Sequence, residues 1–345
     1  MLSPSKHILV IRFSAMGDVA MTIPVLRILL ETYPDISITV VSRSFFKPLF
    51  HSLPRTNFLE ADVYVKHKGV KGLIRLAKEA KLLKIDAVAD LHQVLRSKVM
   101  NLYFKAHRIP VTKIDKGRRE KKALIKAEGK KIMPLKTTHQ RYADVFSKLG
   151  FPIDLTSPIF PEKPLLNNTI NEYFTSEKKY IGIAPFAAHI SKQYPIKQIR
   201  KLLEILSDRS DYQVYLFGGG TKEIEELHTL ENEFYNTVSF AGKLDFETEL
   251  KVIQQLDVMV SMDSGNGHLA AIYGVPVITL WGNTHPYAGF VPFNQPPNNQ
   301  LLADRKRYPK IPTSIYGNKL PEGYENVMNS IPAELVFDTI KSIIE

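Results

Sequence analysis

The sequence contains no cysteine among its 345 residues. This excludes disulfide frameworks, thiolate metal sites and cysteine nucleophiles. The chain also lacks any apolar run approaching the ~18 residues that a membrane-spanning helix requires. Its first residues, MLSPSKHILVIRFSAMGD, pass from a short apolar run straight into Gly-Asp, unlike a secretory signal peptide. Together these absences predict a cytoplasmic location.

Two phosphate-handling motifs are missing as well. The sequence has no D-x-D triplet, with which many enzymes hold Mg²⁺ or Mn²⁺ on a diphosphate. It also has no Walker A lysine pattern, which argues against a P-loop nucleotidase. We therefore expect any diphosphate chemistry of this chain to proceed without a metal.

Positive charge is abundant but unevenly spread. The formal net charge is +11, and residues 66–148 carry 23 Lys and Arg against 7 Asp and Glu. A surplus confined to one stretch indicates a surface that faces an anionic partner, such as a phosphorylated lipid, a nucleic acid or a membrane. A solvated helical face is the structural alternative, and the composition leaves both interpretations open.

The length predicts two domains, because one hydrophobic core usually stops growing before 345 residues. The first half opens as strand, turn, helix and strand over residues 7–13, 19–33 and 36–42, and a further strand is predicted at 85–91. Residues 113–136 hold the densest basic run, and a helix is predicted at 141–150.

The second half repeats the same alternation after a connection rich in Pro, Ser and Asn. Alternating strands and helices in both halves predict an α/β protein with two parallel-sheet domains. The predicted boundaries are a first domain at 1–160, a linker at 161–178, a second domain at 179–325, and a last helical segment at 326–345. Packing of this last segment against the first domain is left open.

The turn SAMGD follows the first predicted strand and begins a helix. It places Asp18 at the carboxyl end of that strand, where parallel sheets bind their ligands. A carboxylate there is able to accept a proton from a substrate hydroxyl. It is equally able to act as a helix-start charge that interacts with the helix dipole. The turn alone leaves both interpretations open.

A second turn, DSGNGHLAA at 263–271, follows a predicted buried strand and opens a short helix. Backbone N–H groups at a helix start can hold a diphosphate, which indicates that Asp263, Ser264 and Gly265 form a binding loop. The loop also matches the dinucleotide fingerprint G-x-G-x-x-A of NAD-dependent enzymes, but the next strand carries no carboxylate for a ribose. His268 is either a ligand contact or a structural histidine.

Two further strand-end loops carry candidate ligands. SKQYP places Lys192 at the same edge of the second sheet, where a lysine can neutralise a phosphate. GGGTKE places Glu223 after another strand, where it could pair with ribose hydroxyls. Each signal is weak alone, since basic residues and glycine turns are common.

Several of these turns belong to longer segments in a recognisable order. The segments are ILVIRFSAMGDVAMTIPVLRILLETYPDISITVV, SKQYP, the glycine loop after YQVYLF, AGKLDF and MDSGNGHLAAIYGVPVITLWGNTHP. They bracket most of the chain and resemble the heptosyltransferase family, glycosyltransferase family 9. The segments S-A-M-G-D and D-S-G-N-G-H-L-A-A are the most specific.

The resemblance implies a GT-B fold, in which two Rossmann-like domains face each other across a cleft. It implies that the first domain mainly binds the acceptor and the second binds a nucleotide sugar. Members of the family typically transfer a heptose from ADP-heptose to the lipopolysaccharide inner core, with inversion and without a metal. No cofactor is expected.

Carried over residue by residue, the resemblance makes Asp18 the general base and Lys192 a phosphate contact. The matching donor-binding positions are Asp263, Ser264, Gly265, His268 and, only approximately because of the neighbouring glycines, Glu223. The sequence departs from the family at Tyr194, where many members have Trp, and at Ala187 and Ala188, where some have hydroxyl residues.

The basic stretch supplies the expected acceptor contacts, which are Lys121, Lys122, Lys130 and Lys131. The expected partners are a nucleotide-diphosphate sugar, ADP-heptose by resemblance, and an anionic glycolipid, with no nucleic acid. A peripheral position on the cytoplasmic face of the inner membrane stays open. Two rival hypotheses remain at this point: an NAD-dependent oxidoreductase that uses the GNGHLA loop, and a non-catalytic protein that binds anionic polymers.

Overall fold

The computed structural model describes residues 6–126, 132–165, 168–174 and 177–345. Its strands are β1 Lys6–Ile11, β2 Ile36–Ser42, β3 Thr56–Glu60, β4 Ala87–Asp90, β5 Val111–Lys113, β6 Lys179–Ala184, β7 Tyr212–Leu216, β8 Thr237–Ser239, β9 Val258–Met262, β10 Val277–Trp281 and β11 Gln300–Leu302. Its α-helices are α1 Met16–Ala20, α2 Thr22–Thr32, α3 Gly69–Leu82, α4 Leu95–Ala106, α5 Arg118–Leu124, α6 Thr138–Lys148, α7 Asn168–Asn171, α8 Ile196–Ser207, α9 Thr221–Glu233, α10 Phe246–Ile253, α11 Gly265–Ala271 and α12 Ala333–Ile344. All pairings between described strands are parallel, as the alternating sequence predicts.

The chain divides into two compact units. The first comprises the described residues up to Lys116 together with 138–160, and the second comprises those of 117–137 together with 161–345. The described residues of 117–137 thus lie within the predicted first domain by sequence but belong to the second unit in space. The cause is apolar packing, because Leu124 and Ile132 form a small core with Ala288 and Ile315.

The sheet of the first unit has the strand order β3-β2-β1-β4-β5. β1 lies at its centre, and its residues from Ile8 to Ile11 are fully buried. A continuous apolar run of this kind is typical of a parallel strand covered on both faces. Strands β2 and β3 are added on one side of β1, and β4 and β5 on the other. The gap between β1 and β4 is therefore the topological switch point, where such sheets bind ligands.

The helix that the sequence predicts at 19–33 is observed as two, α1 and α2, which meet at Met21. Pro24 is the third residue of α2. Its missing N–H needs no partner there, because the first four N–H groups of a helix have none within the helix. The break leaves α1 as a short separate helix directly after β1.

The sheet of the second unit has the order β11-β10-β9-β6-β7-β8. Counted from β6, this is the same doubly wound order as in the first unit with one strand added. The switch point lies between β6 and β9, which pair from Ile181 with Val258 to Ala184 with Ser261. The loops after β6 and β9 therefore leave the sheet side by side.

The last helix, α12, packs on α8 and on the β9 and β10 strands of the second unit. Its apolar stripe includes Val336 and Ile340, both fully buried. From the sequence, packing of this segment against the first domain was an open possibility. In the structure, the apolar face of the helix lies in the core of the second unit. None of the described helices is long and apolar enough to cross a membrane.

Candidate active site

Asp18 lies where the sequence predicts it, in α1 directly after β1. Its side chain is 33% exposed, and its Oδ2 forms an ion pair with the guanidinium of Arg12. Within the described chain, no residue donates a hydrogen bond to the other oxygen, Oδ1. The carboxylate is thus held at one oxygen while a third of the side chain stays exposed, which suits a proton acceptor.

Arg12, which the sequence analysis did not single out, immediately follows β1 and is nearly buried. Its Nη1 donates to the Leu91 carbonyl at 2.8 Å, and its guanidinium carbon lies 6.0 Å from the centre of the Tyr142 ring. Tyr142 in turn donates from its hydroxyl to the backbone carbonyl of Asp18 at 3.2 Å. Burial raises the pKa of Tyr142, so its hydroxyl stays protonated as a donor.

Asp90 ends β4 beside β1 and is completely buried. Its Oδ2 accepts hydrogen bonds from Ser97 Oγ at 2.8 Å and Asn101 Nδ2 at 2.6 Å. Its Oδ1 accepts from the backbone N–H groups of His92 and Gln93. The carboxylate therefore fixes the turn whose Leu91 carbonyl receives Arg12.

His92 lies in that turn and is 7% exposed. Its Nδ1 accepts from the Phe13 backbone N–H at 3.3 Å. Burial, and then the positive charges of Arg12, Lys116 and Arg96, lower the pKa of His92 to about 3. The imidazole is therefore neutral at physiological pH and adds no charge next to Arg12.

In the second unit, Lys192 and Asp263 meet across the switch point. Asp263 directly follows β9, and Lys192 ends a 3₁₀ turn in the loop after β6. Nζ of Lys192 lies 3.3 Å from Oδ2 of Asp263, with the side chains 12% and 10% exposed. Two residues separated by 71 positions are thus brought together at the carboxyl edge of the sheet.

The rest of the predicted donor loop begins α11. Ser264 is the extended residue before the helix, and Gly265 is the first helical residue. The Oγ atoms of Ser261 and Ser264 lie 3.2 Å apart. His268 follows in the same helix and is 6% exposed. The loop therefore presents backbone N–H groups beside the Lys192–Asp263 pair, and His268 is a buried residue of the helix that follows.

Glu223 follows β7, the strand next to β6, in the first turn of α9. Its Oε2 accepts from the backbone N–H of Gly219 at 2.9 Å. This contact fixes the glycine turn. The role of Glu223 in ribose binding stays a prediction.

Two departures from the family sequence fall in packed positions. Tyr194 is 2% exposed and donates from its hydroxyl to the Ile331 carbonyl at 2.7 Å. Burial raises the pKa of this hydroxyl and keeps it protonated. Ala187 is also buried, and its carbonyl accepts from Gln193. Tyr194 thus anchors the segment that carries Lys192.

The predicted acceptor lysines differ in their surroundings. Lys121 is 6% exposed, and its ammonium lies 3.9 Å from the centre of the Phe290 ring. Lys122, the next residue of α5, is exposed. Lys130 and Lys131 lie outside the described residues. Lys121 is therefore part of a packed cluster of the second unit, and Lys122 is the member of the pair that solvent reaches.

The described residues contain no group of three or more His, Asp or Glu side chains that could hold a metal ion. Metal independence itself stays a prediction.

The family model for glycosyltransferase family 9 (heptosyltransferase) matches residues 73–314, more than half of the chain. The chain belongs to this family. The match includes Lys192, Glu223 and the loop that follows β9, whereas Asp18 precedes it. The membership makes this chain a glycosyltransferase, and it favours that function over the oxidoreductase and non-catalytic hypotheses.

Relatives of this family 9 chain are similar over nearly their full length. The lipopolysaccharide core heptosyltransferase OpsX of Haemophilus influenzae is 23% identical over 98% of this chain and 97% of that protein. The crystal structure of a family 9 glycosyl transferase from Veillonella parvula superposes with a TM-score of 0.75 at 19% identity, covering 100% and 98% of the two chains. The E. coli heptosyltransferase WaaC with ADP-2-deoxy-2-fluoro heptose gives 0.63 at 20% identity, covering 97% and 99%. The fold of the family 9 chain is accordingly GT-B.

Proposed function

We propose that this enzyme transfers a heptose from ADP-heptose to a lipopolysaccharide-core or related glycolipid acceptor, inverting the anomeric centre without a metal. The observation that carries the proposal is the placement of one reactive group at each switch point. Asp18 lies at the switch point of the first sheet. The Lys192–Asp263 pair lies at the switch point of the second sheet. The names of OpsX and of the ADP-heptose analogue bound by WaaC support the choice of acceptor and donor.

In the proposed mechanism, Asp18 accepts the proton of an acceptor hydroxyl through Oδ1, the oxygen that is not paired with Arg12. The hydroxyl oxygen forms a bond to the anomeric carbon while the bond from that carbon to the diphosphate breaks on the opposite face. Inversion follows from this in-line geometry. Arg12 holds Asp18 in place by its ion pair, so the carboxylate acts as a fixed base.

Negative charge accumulates on ADP as it leaves. Lys192 supplies a nearly buried ammonium, and the first N–H groups of α11 supply fixed dipoles. Such preorganised groups stabilise a developing charge without reorganising during the reaction. Asp263 orients Lys192 before the donor binds, so these residues take the place of a metal ion.

The direct test is a transfer assay with purified enzyme, ADP-heptose and a heptose-deficient lipopolysaccharide. We expect stoichiometric release of ADP and a product heavier by one heptose, with inverted anomeric configuration by NMR. A panel of UDP-, GDP- and ADP-linked sugars serves as the control. Transfer from one of these in preference to ADP-heptose would show that the proposed donor is wrong, and retained configuration would rule out the single displacement.

A further inference from the structure

A pocket of about 200 Å³ opens between α5 and the loop at 314–319, both in the second unit. We call it the α5 pocket. It is lined by Arg118, Lys121, Lys122, Ile125, Ser314, Ile315, Tyr316, Asn318 and Lys319. It is smaller than the roughly 300–1,000 Å³ of sites that enclose drug-sized ligands, so it suits one unit of a larger molecule.

The lining of the α5 pocket is strongly cationic. Four of its nine residues are Lys or Arg, and none of the nine carries a carboxylate. Arg118, Lys122 and Lys319 are exposed around the rim. A concave surface lined by one sign of charge focuses its field and concentrates counter-ions. The rim therefore indicates an anionic ligand.

The floor of the pocket is partly apolar. Ile315 belongs to the small core that includes Leu124, and Ile125 packs against the same core. The ring of Tyr316 is 54% exposed beside it. A bare inorganic anion would gain nothing from this floor, whereas a sugar ring has an apolar C–H face that packs on an aromatic side chain. The pocket therefore fits a sugar that carries an acidic group.

One loop joins the α5 pocket to the candidate active site. Ser191 donates from its Oγ to the carbonyl of Gly317, in the loop that lines the pocket. A Cβ atom at Gly317 would lie only 2.6 Å from the Cγ and Cδ atoms of Lys192. The loop at 314–319 thus contacts the segment that carries Lys192 and also lines the pocket.

We propose that the α5 pocket binds an acidic sugar unit of the acceptor, phosphorylated or carboxylated. Arg118, Lys122 and Lys319 contact its anionic group, and Tyr316 packs on its ring. This proposal rests on the proposed function and adds acceptor-binding residues from the second unit, beyond the lysines that the sequence analysis selected. Guanidinium and ammonium groups suit both candidate anions, because phosphate and carboxylate both accept charge-assisted hydrogen bonds.

The test uses the full-length enzyme, ADP-heptose and a deacylated core oligosaccharide as acceptor. Heptose transfer by the wild-type enzyme is measured first. If no transfer occurs, the proposed function is contradicted, and the proposal for the α5 pocket is not what has failed. Lys319→Gln and Arg118→Gln should then each raise the acceptor KM about tenfold, because each removes a charge-assisted contact. The donor KM, the affinity for ADP and the Tm should stay unchanged. Lys306→Gln, at an exposed lysine outside the pocket lining, is the matched control.

A second arm identifies the anionic group. Phosphatase treatment or carboxyl reduction of the acceptor should raise the wild-type KM, and the variants should then differ little from the wild type. The proposal is overturned if the variants keep the wild-type KM, or if removal of the acidic groups leaves the difference intact. It is also overturned if the variants lose only binding to phosphatidylglycerol vesicles, since the pocket would then contact membrane lipid.

Discussion

The guanidinium of Arg12 forms an ion pair with the carboxylate of Asp18, six positions further along the chain. Strand pairing places Arg12 for this contact, because β1 and β4 run in register from Ile8 with Ala87 to Ile11 with Asp90. Arg12 is thereby held by the Leu91 carbonyl on one side and by Asp18 on the other. The candidate base is thus anchored by the sheet itself.

Replacing Asp18 with Asn should remove most of the catalysis. The amide keeps the size of the carboxylate but cannot accept the acceptor's proton, and loss of a general base typically lowers the rate ~10²–10⁴-fold. Affinity for ADP should be nearly unchanged, because the predicted donor residues lie in the other unit. Steady-state kcat and calorimetric ADP binding on the same variant provide the measurement.

Asp35→Asn is the matched control for this substitution, since Asp35 is exposed just before β2, at the opposite edge of the same sheet. If Asp18 is only a helix-start charge, Asp18→Asn will instead keep a near-normal kcat. It will then only lower the Tm, because the variant removes both a helix-dipole interaction and the ion-pair partner of the buried Arg12.

Gly317→Ala should weaken ADP binding through Lys192. Gly317 has a φ of +78°, and its new methyl group would press against the Lys192 side chain. Gly323→Ala is the control, because Gly323 has a φ of +81° with nothing within 4 Å of its Cβ position. Both variants carry similar backbone strain, but only the first should raise the Kd for ADP, by about tenfold for a displaced charged contact. Equal Kd values for ADP in both variants would show that a methyl group at residue 317 does not affect ADP binding through Lys192.

Lys121 and Lys122 should respond differently to replacement by Gln. Lys121→Gln removes a buried cation from the face of Phe290, an interaction of about 0.5–2 kcal/mol, and should lower the Tm. Lys122→Gln should leave the Tm unchanged and raise the acceptor KM. Thermal unfolding and acceptor kinetics on both variants check this, and the same Tm loss in both would contradict the structural difference between the two sites.

Chelation should leave turnover largely intact. We expect EDTA to change kcat little, because Lys192 and the α11 N–H groups are proposed to stabilise the leaving diphosphate. Activity is measured before and after EDTA, and again with Mg²⁺ or Mn²⁺ added back. If chelation abolished transfer and either ion restored it, a metal would hold the diphosphate instead.

Glu249→Gln should stabilise the protein at alkaline pH. Burial raises the pKa of Glu249 from 4.5 to about 7. The folded state therefore holds this proton more tightly, and its contribution to stability is present below pH 4.5 and lost as the pH rises through 7. The variant should match the wild type at pH 4.5 and exceed it at pH 8, by on the order of 1–3 kcal/mol.

Thermal unfolding at the two pH values measures this gain. Glu247→Gln, in the same helix but exposed and paired with Lys251, is the control and should not show a pH-dependent gain of this kind. An equal Tm for Glu249→Gln and the wild type at pH 8 would mean that the partly buried carboxyl is not destabilising when ionised.

The sequence predicts groups that are local to one turn and misses groups that strand pairing brings together. Asp263 directly follows an apolar strand, and Asp18 lies in the turn-and-helix segment after one, so the pattern along the chain suffices to locate them. Arg12 and Asp90 come together only because β1 pairs with β4. The sequence does show Arg12 within an apolar run. Its role could be inferred only once the strand order was known, because that order places β4 beside it.

The same limit explains the segment 117–137, which the sequence grouped with the first domain. Its basic composition indicates a surface, whereas its place is decided by a few interspersed apolar residues, among them Leu124 and Ile132. Their partners, Ala288 and Ile315, lie far along the chain. Local periodicity contains no information about partners at such a separation.

This arrangement imposes an order on folding during synthesis. Leu124 leaves the ribosome about 190 residues before its partner Ile315, an interval of roughly 10–40 s at translation rates of ~5–20 residues per second. The strands of the first unit all precede residue 117 and can pair within this interval. The segment carrying α5 cannot complete its small core until Ile315, near the end of the chain, has been made. Chaperone dependence should therefore centre on this segment rather than on either sheet.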